Sequence, residues 1–254
     1  MTPMWIDHVV FGLLAVVFPI WGYFWLRKRK ALILAGHSEL RVKMYRRLVV
    51  EEWVMAAVLL IGWFALGRGS AAIGLIPQSG TPAWAGYGLA ALLCVVLVLQ
   101  MRSVTRQPEA LEKHRKQLGG LSFILPHTVR ELKAFDAVSV TAGICEEVIY
   151  RGYLIAYLMA ALGSPFWVGA LLSSVVFGVA HSYQGPAGIP RTAAVGGMLA
   201  LLYGLTGSLW APMLVHAVMD ITSGRIAYAV VNDTTPESPR TIATAGDAVG
   251  ELSS

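Results

Sequence analysis

The stretch Ala142-Gly143-Ile144-Cys145-Glu146-Glu147-Val148-Ile149-Tyr150-Arg151-Gly152-Tyr153-Leu154 sets three ionisable side chains inside an apolar run covering residues 135–162. An ionisable group at the centre of a bilayer costs about 2.5–3.5 kcal/mol on insertion scales, so such groups face a bundle interior or a water-filled cavity. Starting the span after Arg151 does not remove the problem. Only Gly152 to Leu162 would remain before Gly163-Ser164-Pro165, too few residues to cross about 30 Å of hydrocarbon.

The rest of the chain agrees with a membrane setting. It is 56% hydrophobic and 14% charged, with a mean hydropathy of +0.61, whereas a soluble domain carries roughly 25% charged residues. Further apolar runs at 5–26, 48–66, 83–101, 165–182, 192–209 and 210–231 predict an all-α polytopic bundle of about seven to eight spans. The runs are continuous rather than alternating, which argues against a transmembrane β-barrel.

The formal charge is +5, but its distribution argues against a nucleic-acid partner. Arg27, Lys28, Arg29, Lys30, Arg41, Lys43, Arg46 and Arg47 crowd one loop, and Arg102, Arg106, Lys113, Arg115, Lys116, Arg130 and Lys133 crowd another. Fifteen of the twenty basic residues thus flank spans, the positive-inside pattern. A multi-pass cell-membrane protein is expected, with both basic loops and the C-terminal tail cytoplasmic and the N-terminus outside. The first apolar run ends in Arg27-Lys28-Arg29-Lys30 rather than a cleavage site, so it reads as a retained span. The loop at 102–134 has room for an interfacial helix. Glu51-Glu52, directly after the first basic loop, reads as an interfacial pair. Cys94 and Cys145 both sit in apolar runs and read as small core residues, supporting no disulfide framework and no Cys-based zinc site.

Three organisational segments follow: membrane spans with basic cytoplasmic loops at 1–129, a core carrying the chemistry at 130–231, and a disordered tail at 232–254. Within the core, α-helical spacing puts Glu147 and Arg151 on one face and turns Glu146 about 100° away, without a local cation. The pairs Phe177 with His181 and His216 with Asp220 each share a face four residues apart. Glu146, His181, His216 and Asp220 have no reason to be polar unless they converge. Such a set could activate water on a peptide carbonyl and stabilise the oxyanion, hold zinc with an open position, or relay protons in a transporter. A purely structural salt-bridge network is the bland alternative. The transporter reading is weakened because no repeat or paired interrupted helices appear.

In order and spacing, Glu146-Glu147-x-x-x-Arg151, Phe177-x-x-x-His181 and His216-x-x-x-Asp220 resemble the CPBP family. These are the CaaX-processing and bacteriocin-processing intramembrane glutamic endopeptidases, also described as the Abi domain. The resemblance covers about residues 130–225. It implies that Glu146 and His181 activate water without a cofactor, that His216 and residue 220 form the oxyanion side, and that Glu147 and Arg151 brace the site, with Phe177 in support. The implied partners are membrane lipid and a membrane-associated, possibly lipidated, peptide or protein; oligomeric state is left open. The best-studied relatives carry Asn at the last position where this chain has Asp220, so the resemblance implies an Asp220 that is protonated, that orients His216 instead, or that belongs to a variant mechanism. A zinc-dependent version of the hydrolysis and a non-catalytic scaffold or immunity protein are the other readings.

Overall fold

The computed structural model describes residues 2–233, and every regular element among them is helical. Helix α1 is Trp5–Leu34, α2 is Leu40–Ala65 and α3 is Thr81–Val104. A short helix α4, Pro108–Leu118, precedes α5, Val129–Glu146, which runs without a break through a π-helical segment, Glu147–Leu154, into α6, Ile155–Leu162. Three more helices follow: α7 at Phe166–Ala180, α8 at Gly188–Thr206 and α9 at Trp210–Asn232. The seven apolar runs of the sequence thus coincide with helices, and four of them, α1, α2, α3 and α9, are long and apolar enough to cross a membrane by length and composition. Their outward faces carry large exposed apolar side chains such as Phe24, Val58, Ile61 and Leu99, as a lipid-facing surface does.

Local chemistry sets the start of the helix that carries the carboxylates. Thr128 Oγ1 accepts the Glu131 N–H at 3.2 Å and Glu131 Oε2 accepts the Thr128 N–H at 3.2 Å, a capping box. The other oxygen of Glu131 receives Arg41 Nη1–H at 3.0 Å, and Arg41 Nε–H donates to the Phe123 carbonyl. Arg41, counted above among the topology-setting loop charges, is therefore buried and joins α2 to the cap of α5. The 102–134 loop contains α4, whose Leu111 packs on Val230 near the end of α9. Asn232 closes α9 and Asp233 accepts from Arg115, so the chain is tied two residues into the expected tail; residues 234–254 of that tail lie outside the described residues.

The core is assembled around α5 and α9, which pack on each other, with α2 against α5, α3 against α9, and α7 against α8. Gly143 makes the α5–α9 approach possible: a Cβ there would lie 2.7 Å from the Ala217 nitrogen and 2.9 Å from its Cα. On the other side of the molecule Asp7, buried in α1, accepts both Arg68 Nη1–H at 2.8 Å and Nη2–H at 2.6 Å, together with Tyr153 Oη–H at 3.0 Å. This knot ties the first helix to the π-helical segment.

Two outcomes follow from these contacts. Arg68→Ala leaves Asp7 buried without its cation and is expected to cost about 3–5 kcal/mol, read as a lowered unfolding midpoint in detergent. Gly143→Ala must push α9 away from α5, and is expected to destabilise by about 1–3 kcal/mol; unchanged unfolding would show that the helices separate freely at this contact.

Candidate active site

Glu146 ends the α-helical part of its helix, and the wider turn that starts at Glu147 changes where the next side chains point. In a π-helical segment the hydrogen bonds run i to i+5, a feature that recurs at functional sites. Ser173 Oγ–H on α7 donates to the Tyr150 carbonyl at 2.7 Å, tying this segment to α7. Both carboxylate residues keep α-helical backbone angles, so their side chains leave the helix about 100° apart. Both reach the same histidine: His216 Nδ1–H donates to Glu147 Oε1 at 2.7 Å, and His216 Nε2 lies 3.7 Å from Glu146 Oε2.

Glu147 has no exposed surface and its Oε1 also accepts Arg151 Nη1–H at 2.7 Å, the pairing the spacing predicts. Arg151 Nη2–H donates to the Gly196 carbonyl at 3.3 Å on α8, and its guanidinium lies 4.4 Å above the centre of the Phe177 ring. A Cβ at Gly196 would stand 3.3 Å from Arg151 Nη2, so the glycine leaves room for this contact.

His181 sits immediately after the last residue of α7 and its Nδ1–H donates to the Phe177 carbonyl at 2.8 Å. That bond leaves Nε2 facing the carboxylate, 3.9 Å from Glu146 Oε1. The two histidines come from different helices, α7 and α9, of which α7 is the shorter. Fifteen residues rise only about 22 Å against about 30 Å of hydrocarbon. Phe177 supports both rings, with centroids 4.6 Å from His181 and 6.0 Å from His216.

Asp220 Oδ2 stands 3.7 Å from His216 Nε2, one turn along α9. The structure therefore brings all seven sequence-predicted residues together: Glu146, Glu147, Arg151, Phe177, His181, His216 and Asp220. Side-chain exposure rises across the cluster from nothing at Glu147 to 16% at Glu146 and His181 and 35% at Asp220. The site is dry at Glu147 and open at Asp220. A cleft of ≈ 260 Å³ bordered by Lys30, Tyr183, Gln184 and Arg191 lies next to it, sharing Tyr183, whose ring is 5.7 Å from that of His181. Among the described residues, no group of three or more His, Cys, Asp and Glu is arranged to hold a metal ion.

Two residues near the site were not singled out by the sequence, Tyr183 and Glu52. Glu51 pairs with Arg47 at 2.6 Å in a half-exposed surface bridge, as an interfacial residue does. Glu52 does not: it lies midway along α2, its Oε2 is buried without a hydrogen-bond partner, and it interacts through space with Glu146 and Asp220. A signal for this exists in the sequence. Glu52 falls on the helical stripe of Tyr45, Ala56, Leu59 and Trp63, all buried, and Glu51 falls beside it.

Residues 129–222 match the family model described as type II CAAX prenyl endopeptidase Rce1-like. No curated protein and no solved structure matches the chain. The matched segment contains every residue of the three motifs, from Glu146 to Asp220, in a protein whose outer helices are built for lipid. Over residues 129–222, the segment that holds all three motifs, this chain is similar to the type II CAAX prenyl endopeptidase Rce1-like family.

Proposed function

We propose that this protein is an intramembrane endopeptidase that hydrolyses a peptide bond of a membrane-associated protein or peptide, with Glu146 as general base. The observation that carries the proposal is the position of the Glu146 carboxylate between the Nε2 atoms of His181 and His216, at 3.9 and 3.7 Å. Those gaps are too long for direct hydrogen bonds, and a water in the cavity can bridge them.

In this reading the water donates one proton to Glu146 as its oxygen attacks the scissile carbonyl carbon, and Glu146 later returns that proton to the leaving amine. His181, fixed by the Phe177 carbonyl, orients the water through Nε2. His216, held by Glu147 at Nδ1, presents Nε2–H to the carbonyl oxygen as negative charge develops there. The imidazolium form of this ring has its countercharge in Glu147, Glu146 and Asp220. Asp220 then acts by orienting and balancing His216 rather than by donating to the oxyanion, which accommodates the acid found where relatives have an amide. Arg151 and Glu147 position the ring and do not meet the substrate.

The family match supports a prenylated C-terminal peptide as the substrate class. The positive loops support an orientation with both basic segments cytoplasmic and the N-terminus outside, placing a substrate anchored in the inner leaflet beside the cavity. The chemistry proposed is metal-free.

Two experiments test this reading. Glu146→Gln is expected to lower turnover by about 10²–10⁴-fold while the protein inserts and unfolds as wild type; peptides that accumulate in wild-type cells and vanish in the variant identify the substrate, and full turnover by the variant rejects the role. Metal analysis of the purified, active protein is expected to find substoichiometric zinc. Stoichiometric zinc removed by a chelator together with activity would replace the metal-free chemistry with a zinc-dependent one.

A further inference from the structure

We infer that Glu52 is a fourth acidic member of the site, whose buried Oε2 accepts a hydrogen bond from the water that Glu146 activates. The inference rests on the peptidase reading above and adds a residue from α2, which lies outside the matched segment at 129–222.

Three observations carry it. The first is placement. Trp53 Nε1–H donates to Thr141 Oγ1 at 3.2 Å, pinning α2 against α5 about one turn before Glu146, with Glu52 next in line on the buried stripe of α2. The second is an orphaned acceptor. Glu52 Oε2 has no exposed surface and no hydrogen-bond partner among the described residues, and a buried carboxylate oxygen left in that condition is costly unless a water or ion satisfies it.

The third is the company it keeps. The charged groups that act on Glu52 are Glu146, Asp220 and Glu51, all acidic, and Glu52 in turn acts on Cys145, Tyr150 and Tyr183. No Lys or Arg among the described residues forms an ion pair with it, so the usual cure for a buried carboxylate is missing. A buried water needs two to four polar partners; Glu146 has His181 Nε2 3.9 Å away, and Glu52 acts on Glu146 through space. A water whose two hydrogens point at Glu52 and Glu146 receives the Nε2–H of His181 on one oxygen lone pair and keeps the other free for the substrate carbonyl carbon. Glu146 takes the proton, and Glu52 holds the orientation and gains or loses nothing in the step.

Two replacements in the full-length protein separate this from a structural role. Glu52→Gln keeps an acceptor oxygen at the same reach; Glu52→Met fills the same volume with none. The expected result is that Glu52→Met loses about 100-fold in kcat, with KM within about twofold of wild type and no loss of unfolding temperature. Glu52→Gln is expected to retain most of the wild-type kcat. Wild-type kcat in Glu52→Met, a kcat that falls only in step with the folded fraction, or equal inactivity of the two variants overturns the inference. The two readings fail differently: full activity of Glu146→Gln rejects water activation and this role together, whereas an inactive Glu146→Gln beside a fully active Glu52→Met rejects only the role of Glu52.

Discussion

Glu147 Oε1 receives a hydrogen bond from Arg151 on its own helix and another from His216 on α9, both at 2.7 Å, on a side chain with no exposed surface. In a low-dielectric interior such a carboxylate is tolerable only while its partners stay in place. The constraint therefore fixes more than itself. It orients the His216 ring, it anchors the guanidinium that Phe177 carries on its face, and through Arg151 Nη2 it reaches the Gly196 carbonyl on α8. Helices α5, α7, α8 and α9 converge on one acid.

The rest of the bundle supplies room and support for that point. Gly143 lets α5 and α9 approach closely just before the carboxylates, and the Thr128–Glu131 cap with Arg41 defines where α5 begins. The Asp7–Arg68–Tyr153 knot holds α1 against the far end of the π-helical segment. A helix bearing three ionisable groups is thus buttressed at both ends. The exposure gradient from Glu147 to Asp220 then divides the site into a dry half at Glu147 and a wetter half at Asp220. That division separates the two neighbouring carboxylates in environment. Glu147 is saturated with donors, and Glu146 has histidines at water-bridging distance but no direct donor.

The polar cluster was readable from the sequence because it breaks the strongest rule available to a membrane chain. Each of Glu146, Glu147, Arg151, His216 and Asp220 is conspicuous among apolar neighbours, and their i, i+4 spacings report pairings that need no tertiary information. The same reasoning failed at Glu52, because the adjoining basic loop and Glu51 offered a ready interfacial explanation, while the buried stripe it shares with Ala56, Leu59 and Trp63 went unused.

By itself the sequence determined the membrane class, the helical segments and the residues that must be sheltered from lipid, because hydropathy and helical periodicity are local properties. Only the tertiary structure decided which groups meet. It set the two carboxylates at opposite ring nitrogens of His216, brought His181 within 3.9 Å of Glu146, buried Arg41 and left Glu52 Oε2 buried without a partner among the described residues. Those outcomes depend on backbone geometry and on which helices can approach closely, and these are properties of the packed chain rather than of any one segment.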